Sequence, residues 1–443
     1  MPNGLSCDPV DRGMTSFPFD VSAHEIPAQY VREYPGALLN SQEDELRLHV
    51  KQYTPSTRIN SRFESVTIVG AHGNGFPKEL YEPLWDELVK SLNQQNIDVR
   101  GIWIADVAHQ GQSGLINQDR LGNDPNWNDH ARDMLVLINH FRAEMSRPIV
   151  GIGHSMGAAS MVNLSLMHPR LLTAIVLVDP VILNESQSQL LSETGEKSAP
   201  LALAGTSIAR RETWPSRDEA AASFKKARFF ASWDPRVLDR WIQYGICRFQ
   251  EAPNLAGHTR ENEDPAVTLT TGKDQENFTF LRPTFGRGPN LSDTSLYLPD
   301  LYFTSTSMPP FYRAESRMAF EKLPYLRPST FYLLGEKSAI SGANTREERL
   351  RRTGTGMGGS GGPSAGKVKQ FVLPNGGHLM PMEQVNRVAE VIGDYLATEL
   401  QIWSREESQW KSWWSALDTR DKTKMTADWE KSLKEVSRVK GKL

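Results

Sequence analysis
The chain has 443 residues, enough for one large domain with an insertion or for two domains. Hydrophobic residues make up 39% and charged residues 23%, and the net charge is −3, so no bulk positive field argues for nucleic acid. Two distant cysteines, Cys7 and Cys247, exclude a disulfide framework or a CxxC metal pair and suit a reducing compartment. The first twenty residues lack the apolar core of a signal peptide, and no run of about 18 apolar residues predicts a membrane span.

In chain order, LRLHVKQY (46–53) alternates apolar and polar residues like a half-buried strand. VTIVG (66–70) is a β-branched strand that runs into His72-Gly73-Asn74-Gly75, and a helix is predicted over 79–94. VRGIWIA (99–105) is the next strand, then come a Gly/Asn/Asp-rich loop over 109–128 and a helix over 129–145. RPIVGIG (147–153) predicts a strand entering a turn at Ser155, MGAASMVNLSLMH a helix, and LLTAIVLVD (171–179) another strand. This alternation predicts an α/β fold with a mostly parallel central sheet and helices on both faces.

The alternation stops near 181. Residues 181–325 read as helical patches and Pro-rich loops with many aromatics, which predicts an inserted, mainly helical cap. It resumes with strands at 329–335 and 367–373 and a helix at 383–399. The expected organisation is a core at 1–180 and 326–400, a cap at 181–325 and a helical tail at 401–443. Trp403, Trp410 and Trp414 share one helix face of that tail, a stripe expected to pack against the body. TGTGMGGSGG (353–362) contains a formal GxGxxG, but no strand leads into it. It reads as a flexible loop and not as a dinucleotide site.

GHSMG between a strand and a small-residue helix has the form of a nucleophile elbow, with Ser155 as nucleophile. The alternative is a serine in an unrelated tight turn. A serine needs a base. His378, in LPNGGHLMP after the last predicted strand, is the candidate, against a helix-capping role; His154 and His72 are read as structural. Two acids compete. Asp179 ends the strand LVD ahead of Pro180. Glu336 lies in Gly335-Glu336-Lys337-Ser338, where a serine occupies the position at which an aspartate is commonest after such a strand. The backbone N–H groups of Met156 and Asn74 are the candidate donors for an oxyanion. A serine nucleophile points to a carbonyl: ester, thioester or amide. No metal-ligand spacing such as HExxH is present, and no cofactor is expected.

GHSMG, LVDP, GGHLMP, the HGNG loop and the inserted cap together resemble the α/β-hydrolase superfamily over roughly residues 45–400. HEIPAQYVREYPGA (24–37), HGNGFPKELYEPLWDEL (72–88), the glycine-rich loop and the Trp-rich tail are similar to a narrower group. That group is the fungal peroxisomal α/β-hydrolases of secondary-metabolite (toxin) biosynthesis, including the acyl-CoA hydrolases of mycophenolic acid biosynthesis. The resemblance implies a Ser155, Asp179 and His378 triad and so favours Asp179 as the acid. It also implies an acyl-CoA or ester substrate, hydrolysed as a thioester, with a carboxylesterase, lipase or acyltransferase as the alternatives. Gly441-Lys442-Leu443 is similar to the peroxisomal Ser-Lys-Leu address, so an import receptor and a peroxisomal location are expected, with the cytoplasm as the alternative. A second copy of the chain is the other expected partner.

The cap segment 210–248 interleaves basic and aromatic residues. Arg210, Arg211 and Lys225 are the candidates for CoA phosphates, and Trp214, Phe229 and Trp233 for the acyl chain. The alternative is a set of amphipathic helices with solvated faces.

Overall fold
Eight strands form one sheet: β1 (Phe19–Pro27), β2 (Arg47–Pro55), β3 (Val66–Ala71), β4 (Val99–Ala105), β5 (Ile149–His154), β6 (Ala174–Val178), β7 (Ser329–Gly335) and β8 (Val368–Leu373). Their spatial order is β1-β2-β4-β3-β5-β6-β7-β8. β1 and β2 pair antiparallel, as do β2 and β4; every other pair is parallel. The computed structural model describes residues 18–61, 63–184, 199–248, 266–285 and 310–440. Cys7 and Gly441-Lys442-Leu443 lie outside the described residues.

The central strands are continuous apolar runs because both faces are covered. Every residue of β3, β5, β6 and β7 is buried. Helices α1 (Glu82–Gln94), α2 (Trp127–His140) and α3 (Met156–Met167) supply that cover. The α3 face packs by close approach: a Cβ on Gly151 would stand 2.7 Å from Met161 Sδ. Strand β1 was not visible in the sequence. Only Phe19 and Ile26 of its nine residues are buried, so it shows no apolar alternation. It is fixed by its ladder to β2, from Phe19 opposite Pro55 to Pro27 opposite Arg47.

Between β6 and β7 the described residues form five helices of eight or more residues: Ala199–Ala209, Arg217–Lys226, Pro235–Tyr244, Lys273–Phe280 and Ala314–Lys322. They also form a three-stranded antiparallel sheet from Thr213–Trp214, Ile246–Arg248 and Val267–Leu269. The helix Ala314–Lys322 contributes Ala319 and Phe320 to the same hydrophobic cluster as Ala158, Val162 and Ile175, so it belongs to the core packing. The glycine-rich loop over 353–362 is tied down rather than loose. Gly354, Gly356 and Ser360 donate backbone N–H bonds to the carbonyls of Leu323, Pro324 and Leu326. A helix, Ala343–Arg352, leads into it, so the geometry of a dinucleotide fingerprint is missing.

The chain divides into two units, Met1–Ala397 and Thr398–Leu443. The second carries the end of the helix Val385–Ala416 and the helices Thr419–Thr423 and Ala427–Lys440. Within it, the Trp410 and Trp414 rings stack with centroids 5.6 Å apart. Among the described residues no helix is long and apolar enough to cross a membrane.

Toward the carboxyl edge of the sheet lie several buried polar groups, with His49 half-buried beside them. Burial pushes His49 down to about 4 and His109 and His154 down to about 3. The same cause lowers His72 and, further, His130. Each folded-state value lies below the ordinary 6.5, so between the two the unfolded chain holds the proton and the folded chain does not. Their contribution to stability is therefore complete above about 6.5 and is lost as pH falls toward 4, by up to about 1.4 kcal/mol per pH unit per group. Two carboxyls oppose this: burial raises Asp129 to about 6 and also raises Asp133, and both gain stability as pH falls. Five histidines outweigh two carboxyls. The urea unfolding midpoint should drop steeply from pH 7 to pH 5. A midpoint that stays level or rises over that interval contradicts the assignment.

Candidate active site
Four loops meet at the carboxyl edge of β3, β5, β6 and β8. The sharpest is the turn from β5 into α3. Ser155 sits at φ 58° and ψ −117°, a region costly for a residue with a Cβ. The flanking glycines make that turn possible. A Cβ on Gly153 would lie 2.4 Å from Gly157 O, and one on Gly157 2.3 Å from Ala71 O. Three backbone bonds hold the serine in place. Ser155 N donates to Val178 O at 3.0 Å, and Ser155 O accepts from Ala158 N and Val181 N at 3.2 Å each.

The loop after β8 brings His378 Nε2 to 3.0 Å from Ser155 Oγ. Its Nδ1 lies 2.6 Å from Asp179 Oδ2. A carboxylate only accepts, so Nδ1 carries the proton and Nε2 is left to accept the Ser155 hydroxyl. Asp179, just past β6, is fully buried with φ 40°. Ser338 Oγ donates to its Oδ2 at 2.5 Å and Gly335 N to its Oδ1 at 3.3 Å. Burial works to raise the Asp179 carboxyl, but the hydrogen bonds from His378 and Ser338 hold it below the ordinary value. The carboxylate is thus ionised and opposite the imidazole, the arrangement that orients a base and stabilises its cation.

The structure brings Ser155, His378 and Asp179 together and leaves Glu336 out. Glu336 is exposed, and its Oε2 accepts the Asn375 N–H at 2.8 Å. The serine noted in the acid position, Ser338, is instead a donor to Asp179.

Met156 opens α3, directly after Ser155. Asn74 lies in the loop after β3, and its side chain is committed: Nδ2 donates to Glu276 O at 3.1 Å and Oδ1 accepts from Gln110 Nε2 at 2.6 Å. Any donor role there falls to its backbone N–H. Gln110 also accepts the Gly75 N–H at 2.8 Å, and Tyr81 Oη accepts the Gly73 N–H at 2.9 Å. Sequence reasoning missed Gln110 and Tyr81. Gln110 lay unmarked in a polar loop and Tyr81 among the apolar positions of a helix. His72 braces the loop as expected, with Nε2 accepting the Val107 N–H at 2.9 Å.

The cap residues separate. Trp233 is buried and meets Phe76 of the β3 loop edge-on at 5.9 Å. Trp214 is buried against Phe224 at 5.0 Å, while Phe229 is 53% exposed. Arg210 forms an ion pair with Glu276. Arg211 donates to Thr213 O at 2.7 Å and lies over the Trp214 ring. Lys225 sits exposed in the last turn of its helix. Two further cap arginines pair with α1: Arg240 with Glu82 at 2.8 Å and Arg236 with Glu87 at 2.6 Å. Arg210, Arg236 and Arg240 are therefore each paired with a carboxylate of the fold, while Arg211 and Lys225 are paired with none among the described residues. Among the described residues no group of three His, Cys, Asp or Glu is placed to hold a metal ion.

A model of the alpha/beta hydrolase family matches residues 68–391. The chain is 38% identical over 441 residues to the type I acyl-CoA thioesterase mpaH' of Penicillium brevicompactum, covering 96% of this chain and 97% of that one. It is 36% identical over 412 residues to the type I acyl-CoA thioesterase mpaH of Penicillium roqueforti (strain FM164), covering 90% and 92%. Among solved structures it is similar to the peroxisomal alpha-beta-hydrolase Lpx1 of Saccharomyces cerevisiae, with a TM-score of 0.64 at 18% identity, covering 96% of this chain and 98% of that one. With the sheet order, the strained serine turn and the helices inserted between β6 and β7, these matches establish that the chain belongs to the alpha/beta hydrolase family.

Proposed function
We propose that the protein is a serine hydrolase that cleaves an acyl-CoA thioester through an acyl-enzyme. The observation that carries this reading is the continuous hydrogen-bonded chain from Asp179 through His378 to Ser155 Oγ. His378 Nε2 takes the serine proton as Oγ attacks the acyl carbonyl carbon. The C–S bond breaks, and the proton on His378 passes to the departing CoA sulfur. Water then attacks the serine ester with His378 again as base, the acid is released and Ser155 recovers its proton. The Met156 and Asn74 N–H groups hold the oxyanion in both steps. No cofactor takes part.

The choice of an acyl-CoA is supported by the two thioesterases that the chain resembles over nine-tenths or more of its length. The acyl group belongs with the acids of fungal secondary metabolism. Phe229, exposed and packed on Phe230 and the buried Trp233, offers an apolar edge for it. Arg211 and Lys225 remain the candidates for the phosphates. The peroxisomal location expected from the sequence belongs to the same proposal and is checked by imaging the full chain with an N-terminal fluorescent tag.

The test is a panel of acyl-CoAs with released CoA followed by a thiol reagent. Wild type should release CoA, and Ser155→Ala should lower kcat on the order of 10³-fold or more. Turnover of p-nitrophenyl esters without CoA release would move the assignment to a carboxylesterase or lipase. An acyl-enzyme that resists water but yields to another acceptor would make it an acyltransferase. The acid is tested in the same assay. Asp179→Asn should cost about 10²- to 10⁴-fold in kcat, since the imidazole then loses its anionic partner. Glu336→Gln should stay within about twofold of wild type. The reverse ranking would transfer the role to Glu336.

A further inference from the structure
His154, read from the sequence as structural, is buried beside the base: its ring centroid is 5.1 Å from that of His378. Its two nitrogens join opposite sides of the site. Nε2 lies 2.9 Å from the backbone oxygen of His378, and Nδ1 lies 2.7 Å from Tyr81 Oη. Tyr81 Oη in turn accepts the Gly73 N–H at 2.9 Å.

The direction of every bond in this chain is forced. A carbonyl only accepts, so His154 Nε2 carries the proton and donates to His378 O. Burial keeps the ring neutral, so Nδ1 is a bare acceptor. Tyr81 must therefore donate its hydroxyl proton to Nδ1, which leaves its oxygen to accept from Gly73. Burial raises the Tyr81 phenol, so the hydroxyl stays protonated. Neither residue has a second arrangement that satisfies all three bonds.

We infer that Tyr81 and His154 are positioning residues, a bridge that locks the His72-Gly73 peptide, one residue ahead of Asn74, to the backbone of His378 so that the loop carrying the oxyanion donor and the base move as one unit. The inference rests on the serine-hydrolase reading above. Bonding through the Gly73 N–H fixes the His72-Gly73 peptide, and His72 Nδ1 donates to Gly73 O at 2.8 Å, so the backbone is held on both sides of Gly73 ahead of the Asn74 N–H, the proposed donor. Bonding at the His378 carbonyl fixes the backbone from which the base projects. The bridge is also tight: a Cβ on Gly73 would lie 3.1 Å from His154 Nδ1, so a side chain there would crowd the imidazole. A misplacement of the order of 1 Å in such a pair costs roughly 100-fold in rate.

The test uses the full chain and a fluorophosphonate probe, which reports serine reactivity whatever the natural acyl group. The maximal labelling rate and the half-saturating probe concentration are measured separately, with the thermal midpoint of each variant. Tyr81→Phe and His154→Ala should each lower the maximal rate by about 10- to 100-fold and leave half-saturation within about twofold. His154→Gln should recover most of the loss, because its amide can donate to His378 O and accept from Tyr81 as the imidazole does. Tyr81→Phe/His154→Ala should be no slower than the worse single variant, since the two act in one chain.

Single variants that stay folded and label at the wild-type rate would overturn the bridge, as would a His154→Gln no better than His154→Ala. So would multiplied losses in the double variant. Ser155→Ala separates the two claims. Labelling that persists in Ser155→Ala overturns the serine reading itself. Labelling abolished there but normal in Tyr81→Phe overturns the bridge alone.

Discussion
Much of this structure depends on the approach of Gly157 to the backbone of Ala71. The first turn of α3 lies so close to the end of β3 that a Cβ on Gly157 would reach 2.3 Å from Ala71 O, and 2.7 Å from His72 O. That contact brings the start of α3 beside the loop that follows β3. The turn at Ser155 beside it holds a positive φ, at a cost of about 1–3 kcal/mol. The surroundings hold it there. Val178 O receives the Ser155 N–H, and Ala158, Met161, Val162 and Leu164 anchor α3 in the core.

A serine fixed so firmly needs partners that are equally fixed, and they arrive on separate loops. Buried charge ties these loops to one another. Lys78 Nζ lies 2.5 Å from Asp106 Oδ2, with both side chains wholly buried, and Asp106 also accepts the N–H groups of Lys78 and Gln112. The loop after β3 is thereby fastened to the loop after β4. Lys51 continues the network to Glu79 and Glu82, and Arg240 of the cap closes on Glu82. Removing one member would leave an uncompensated charge in the interior, which costs several kcal/mol. Such a network therefore favours one arrangement of core and cap over its near alternatives.

The sheet was legible because parallel strands covered on both faces must be written as uninterrupted apolar runs. VTIVG, VRGIWIA and STFYLLG fall where β3, β4 and β7 lie. The serine turn was legible because only glycine survives at positions 153 and 157. The edge strand β1 was not, since most of its side chains face solvent and carry no period. The partners of the basic cap residues were hidden for a related reason. Composition counts charges but does not say that Arg210, Arg236 and Arg240 each face a carboxylate. The glycines over 353–362 looked like slack in the chain, yet Gly359 sits where a Cβ would be 2.5 Å from two carbonyl oxygens. Hydrogen-bond partners across more than a hundred residues, such as Gln110 with Thr279, leave no trace in local sequence.

The ambiguity over the acid has a geometric origin. Strands β6 and β7 are neighbours in parallel register, with Val178 opposite Leu333. The residues that follow the two strands therefore emerge side by side and aim at the same point beneath His378. Asp179 N donates to Leu333 O, and Ser338 Oγ reaches the same carboxylate oxygen that accepts from His378 Nδ1. A carboxylate carried by either strand end could meet that imidazole, so spacing along the chain cannot decide between them. What decides is which end turns inward and buries its side chain. The positive φ at Asp179 accompanies a carboxylate wholly inside the fold. On the β7 side the buried residue is a serine, which donates a hydrogen bond to Asp179 and adds no second charge. Two carboxylates that close would repel, and one would have to hold a proton. A hydroxyl opposite a carboxylate satisfies both groups and leaves His378 facing a single ionised partner.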